Sequence, residues 1–235
     1  MKKTLIFLLA ICFLISCSDN NNLVITGKVD GLKKGTLYLQ KIEDTSLLTI
    51  DSIIVDGDPA FVFETNIKSP QVLYLYLKKV DNSQYDDRFR FFAEPGEMTI
   101  NTSLKNFKSD AVITGSKNQE KLADYEKVIQ RFNSRRLDLI KAELLAKKDG
   151  KKDKLDSINK QFDNLLKRRY LFTVNFALNN KDFEIAPFVA VSDIYDANIK
   201  YLDTIYGSLS PEVKNSKYGK SLEELLNERR KAKKE

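Results

Sequence analysis

The sequence predicts an α+β protein: an antiparallel β-sandwich or barrel of about eight strands, then a helical segment with a long antiparallel hairpin. Three observations carry this. Short runs rich in Val, Ile, Phe and Tyr follow one another from Leu23 to Thr114, with turn residues between them. At Ser116 the apolar spacing changes to three and four residues. A charged break, "KKDGKKD" at Lys147–Asp153, then divides two long helical patterns.

The strand runs are "LVITGKV", "GTLYLQKI", "LLTIDSIIV", "AFVFET", "VLYLYLKKV", "RFRFFAE", "MTINTSL" and "AVITG". Phe61 and Phe63 flank Val62, and Leu73, Leu75 and Leu77 share a face opposite Tyr74 and Tyr76. Asp30-Gly31, Lys34-Gly35, Asp56-Gly57 and Pro95-Gly96 punctuate them as turns. In "EPGE", Pro95 presets φ and Gly96 supplies the positive φ of a type II turn.

Ser116 and Gln119 form a capping-box pattern that opens the first helix. Leu122, Tyr125, Ile129, Phe132, Leu139, Ile140 and Leu144 continue it. Beyond Gly150, Leu155, Ile158, Phe162, Leu165, Phe172 and Phe176 form the second stripe, read as hairpin core. Asn179-Asn180 ends the hairpin, and Pro187 fits the first turn of a shorter helix through Asp196. After the Tyr-rich "YLDTIYGSL", "SPE" at Ser210–Glu212 caps a last helix that frays into the basic tail "NERRKAKKE".

The amino end has its own logic. Lys2 and Lys3 precede an apolar run from Leu5 to Ile15, too short to span a bilayer and suited to a secretory signal. Leu14-Ile15-Ser16-Cys17 resembles the bacterial lipobox, which implies cleavage before Cys17 and a lipid on its sulfur. The expected organisation is a signal peptide at 1–16, a tether at 17–22, a β-domain at 23–115 and a helical domain at 116–235. The expected location is the cell envelope, lipid-anchored at the outer membrane, on its periplasmic or surface face. Acyl chains contribute about 0.8 kcal/mol per buried methylene, so several of them anchor a protein stably.

Composition narrows the chemistry. The chain has no histidine and two cysteines, Cys12, expected to leave with the signal, and Cys17, expected to be consumed as a thioether. Ser–His–Asp and Cys–His catalysis, thiol exchange and His or Cys zinc sites are excluded. No phosphate-cradling glycine pattern is present, and no cofactor is expected. The nearest carboxylate clusters, Asp56–Asp58 and Asp86-Asp87, lie in expected turns, where aspartate caps the backbone. Residues 17–115 carry a net charge of −3 and residues 116–235 a net charge of +7. For an exported chain this suits anionic head groups or an acidic partner rather than nucleic acid, or simply solvated helix faces. Arg135-Arg136 and Arg168-Arg169 stand at similar distances from the hairpin turn. They form either one basic partner surface or ion pairs with Asp138 and Asp163.

The ordered series "ITGKVDGLKKGTLYLQ", "DSIIVDGDPAFVFE", "FFAEPGEMTI" and "VITGSKNQEKLADY" resembles a domain of unknown function. That domain sits at the amino end of Bacteroidota lipoproteins whose carboxyl half is a TlpA-like thioredoxin domain. The likeness extends from Ile25 to about Leu226, with no thioredoxin pattern or C-x-x-C beyond it. The resemblance implies the architecture without the disulfide-reductase activity. Asp51-Ser52-Ile53, Asp156-Ser157-Ile158 and Asp203-Thr204-Ile205 resemble Bacteroidota O-glycosylation acceptors, a pattern too short to build on.

The expected function is that of a membrane-anchored, non-catalytic binding or scaffold module with an envelope protein partner. The alternatives are a docking accessory to a separate thioredoxin-like oxidoreductase, and a carboxylate-dependent glycan hydrolase. The last requires two acids about 5–10 Å apart in a pocket.

Overall fold

A computed structural model describes residues 21–43, 46–80 and 87–232. The strands are β1 (Leu23–Asp30), β2 (Lys34–Glu43), β3 (Ser46–Asp56), β4 (Ala60–Thr65), β5 (Gln71–Lys79), β6 (Asp87–Ala93), β7 (Gly96–Ser103) and β8 (Val112–Thr114). They form two four-stranded sheets ordered β4-β1-β7-β8 and β3-β2-β5-β6. The result is a sandwich and not a closed barrel. Its alternation is the expected one: Phe61, Phe63, Leu73, Leu75 and Leu77 are buried, and Val62 is exposed. The inner faces meet in one core that also takes Leu37, Leu39, Phe89, Phe91, Met98 and Ile100. Gly96 has φ +121° as the first residue of β7, a value that favours glycine.

One pairing departs from the antiparallel expectation. β1 lies parallel to β7, with Leu23 opposite Gly96 and Asp30 opposite Ser103. Parallel neighbours need a long crossover. All of β2 to β6 lies between them in the chain, and local alternation carries no record of such a distant partner.

Six helices follow: α1 (Lys117–Lys148), α2 (Lys152–Asn179), α3 (Ile185–Asp193), α4 (Ile199–Ser208), α5 (Pro211–Asn215) and α6 (Lys217–Ala232). α1 and α2 are the expected hairpin. Ser116 caps α1 by accepting the Gln119 N–H at 3.0 Å. The Gln119 carboxamide oxygen is used elsewhere, accepting the Phe92 N–H of β6 at 2.7 Å.

"YLDTIYGSL", given no element from the sequence, lies largely in a helix, α4, which Asn198 caps and whose Leu202 and Ile205 are buried. Two expectations need correction. Ser210 caps only the five-residue α5, and the chain breaks at Ser216 before α6. α6 then packs so closely that a β-carbon on Gly219 would lie 2.1 Å from the Val213 carbonyl oxygen. The basic tail is helical through Ala232 rather than frayed. Arg229 donates to the carbonyls of Tyr195 and Ala197, and Arg230 pairs with Asp203.

The helices cover part of the outer face of the second sheet and make a second core there. Val72 and Phe92 supply the sheet side, and residues such as Leu122, Tyr125, Val189 and Leu222 the helical side. Phe92, Phe188 and Tyr218 meet edge to face, with centroids 5.0–5.8 Å apart. β5 and β6 thus serve both cores and fix the helical segment to the sandwich.

Candidate functional site

Cys17 lies outside the described residues, as does Asp86. The two arginine pairs split. Arg135 donates to Gln161 Oε1 at 3.0 Å and lines a cavity of about 150 Å³ together with Arg168. Arg136 is exposed and does not line it. Arg169 is half-buried, and its charge acts on the Tyr125 and Tyr170 phenols at the hairpin base. Successive helix residues lie about 100° apart, so neither pair points one way. The structure thus brings Arg135 and Arg168 together at one cavity, which Arg136 and Arg169 do not line. Among the described residues no ion pair joins Asp138 or Asp163 to these arginines.

Of the described aspartates of the two carboxylate clusters, only Asp58 sits in a turn, while Asp56 ends β3 and Asp87 opens β6. Asp58 accepts the Ala60 N–H at 3.0 Å, and Asp56 lies 3.3 Å from Lys34 on an exposed surface. Asp87 pairs with Lys79 at 2.7 Å. No group of three or more Asp, Glu, His or Cys stands together among the described residues. None of their helices is long and apolar enough to cross a membrane.

The feature that the sequence did not reveal is a groove where the sandwich meets α1. β6 and β8 each end their own sheet, and both pack against α1. Glu94 Oε1 accepts from the Ser116 hydroxyl at 3.0 Å and the Asn118 N–H at 2.5 Å, and Gln119 holds Phe92. These contacts pin the first turns of α1 over the seam between the sheets. Farther along α1 the seam opens into a cavity of about 700 Å³. Its cations are Arg88, Arg90, Lys108 and Lys127, and its one carboxylate is Glu126. Tyr74, Phe89, Ala111, Ile113, Ala123 and Ile129 give it an apolar lining.

The groove cations are held in different ways. The Arg90 guanidinium donates twice to Glu126 Oε1, at 2.8 and 3.1 Å, and lies 5.6 Å from the Phe188 ring centroid. Arg88 stacks 4.7 Å over Tyr76, which in turn stacks on Tyr38 at 5.7 Å. Lys127 pairs with Asp124 at 3.0 Å on the exposed rim. Lys108 is exposed, with no ion pair among the described residues. The alternation in "RFRFF" was the available signal: arginines on one face of β6, core phenylalanines on the other.

Two buried networks stiffen the helical wall behind the groove. The Tyr125 phenol donates to Asp193 Oδ2 at 2.8 Å and lies 2.9 Å from the Thr173 hydroxyl. Burial, then the Asp193 charge, raises the Tyr125 phenol pKa, so it stays a neutral donor. Asn118 ties α1 to α3, donating to Glu184 Oε2 at 2.9 Å and accepting the Ile185 N–H at 2.8 Å. Burial raises the Glu184 carboxyl pKa. An open cleft lined by cations and apolar side chains, with a wall tied by these hydrogen bonds, is suited to holding an anionic group.

No curated protein and no solved structure matches this chain. A family model for a domain of unknown function, DUF4369, matches residues 23–122. The match runs past β8 into the first turns of α1, where Gln119 and Leu122 join the helix to the sheets. The matched residues, 23–122, are the sandwich with the opening turns of its capping helix, and this part of the chain is similar to that domain of unknown function.

Proposed function

We propose that the mature chain is a lipid-anchored, non-catalytic binding module of a bacterial envelope, tethered through Cys17 and holding a partner in the groove between β6, β8 and α1. The groove is the observation that carries the reading. It combines four cations, one carboxylate and an apolar lining in a cavity of about 700 Å³. The anchor is supported by Lys2 and Lys3, the short apolar run and the Leu14–Cys17 motif. Concave sites with a few convergent polar groups are where proteins most often hold ligands.

A photo-crosslinking residue placed at Gln130 or Asn133, both lining the groove, tests this in intact cells. A discrete adduct is expected from these positions and not from Ile54, exposed on the edge strand β3. The same adducts from all three positions, or none from the groove, would sink the reading.

A further inference from the structure

We infer that the groove takes an extended, acid-rich peptide segment of a partner protein, added as a strand to the free edge of β6; this deepens, and rests on, the binding role proposed above. The main chain argues for it first. Val72 and Phe92 stand opposite each other in the β5–β6 pair, yet the Val72 N–H goes to Tyr218 and the Phe92 N–H to Gln119. Neither donates across the pair, so this is a non-hydrogen-bonded position of the ladder. The register continues without a slip to Tyr74 opposite Arg90. With a period of two, the Arg90 N–H and C=O also point away from β5, toward the groove.

At Phe92 the Gln119 side chain occupies the place of a neighbouring strand. At Arg90 the facing helix offers Glu126, which is taken up by the guanidinium, and no described residue receives the Arg90 main-chain N–H. An unpaired edge of this kind is a template for main-chain pairing.

The side chains say which segment fits. An extended peptide sends alternate residues to opposite sides. The lining offers such a segment apolar surface at Ala111, Ile113 and Ala123 and cations at Lys108 and Lys127. The complementary segment alternates small apolar residues with Asp or Glu.

The full chain, purified in detergent, is titrated with a fluorescent heptapeptide alternating valine and aspartate, monitored by polarisation. Its lysine counterpart and two versions N-methylated on alternate residues serve as comparisons. The aspartate peptide is expected to bind about tenfold or more tighter than the lysine one, and to weaken by a similar factor against Lys108→Glu. One N-methylated version should lose binding and the other keep it, because only one set of N–H groups faces the edge. Arg90→Pro should abolish binding while Arg90→Ala, which keeps the main-chain donor, retains part of it; proline is tolerated on an outward edge N–H, and a thermal melt checks the fold.

No binding of the aspartate peptide, or equal binding of both methylated versions, overturns strand addition. A groove-specific crosslink in cells to lipid or glycan would overturn it while leaving the groove a binding site. No groove crosslink at all would remove both.

Discussion

The Tyr218 phenol oxygen accepts the Val72 N–H at 2.9 Å, joining α6 to β5 across 146 positions of sequence. Val72 stands at a ladder position that gives its N–H no strand partner, and the phenol fills that need beside Phe92 and Phe188. Burial pushes the Tyr218 pKa up to about 12, so the contact does not titrate near neutrality. Tyr218→Phe keeps the ring and strands a buried donor. It should lower stability by about 1–3 kcal/mol, seen as a shifted denaturant midpoint with an unchanged slope. A midpoint equal to wild type would show that this N–H is solvated.

Phe162 and Phe172 share one stripe in the sequence but have different surroundings. Phe172 stacks on Tyr125 at 5.6 Å and touches Phe132 and Phe176, beside the second core. Phe162 is half-buried in the distal hairpin and joins neither core. Phe172→Ala should cost about 2–3 kcal/mol, and Phe162→Ala under half of that. Thermal melts of both variants check this, and equal losses would mean the hairpin is packed along its whole length.

Glu184 predicts a pH dependence. Burial raises its carboxyl pKa above the ordinary 4.5; nearby Glu94 and Glu212 push the same way, and Asn118 and the backbone oppose. A carboxyl raised on folding contributes stability below its unfolded pKa and loses that contribution as pH rises through the folded value. Glu184→Gln keeps an acceptor for Asn118 without the buried charge. Its melting temperature should exceed wild type at neutral pH and converge with it below pH 4.5. A constant offset across pH would show that the effect is packing alone.

Cys17 carries the anchor proposal. Cys17→Ala should abolish partitioning into the detergent phase and change processing of the leader. Mature protein should also show no reactive thiol when titrated unfolded, since Cys12 would leave with the signal and Cys17 would be a thioether. One free thiol per mature chain, or normal partitioning of the variant, would end the lipoprotein reading.

Local features by themselves determined much of this fold. Each strand announces itself through alternation that survives any choice of partner, as Phe61, Val62 and Phe63 show. Ser116 and Ser210 mark helix starts because a cap is made within three residues of itself. Relations between distant residues were left to the tertiary structure. The parallel β1–β7 pair and the sandwich itself depend on which edges meet. "YLDTIYGSL" becomes helical because a core receives Leu202 and Ile205, and the Arg229 contacts hold the tail that charge alone would have let fray. The groove belongs wholly to this class. Its cations come from β6, the segment before β8, and α1, and contacts such as Glu94 to Asn118, Gln119 to Phe92 and Arg90 to Glu126 bring them to one cleft. Hydrogen-bond parity along β6 then decides which main-chain groups face it, a property of pairing rather than of residue type.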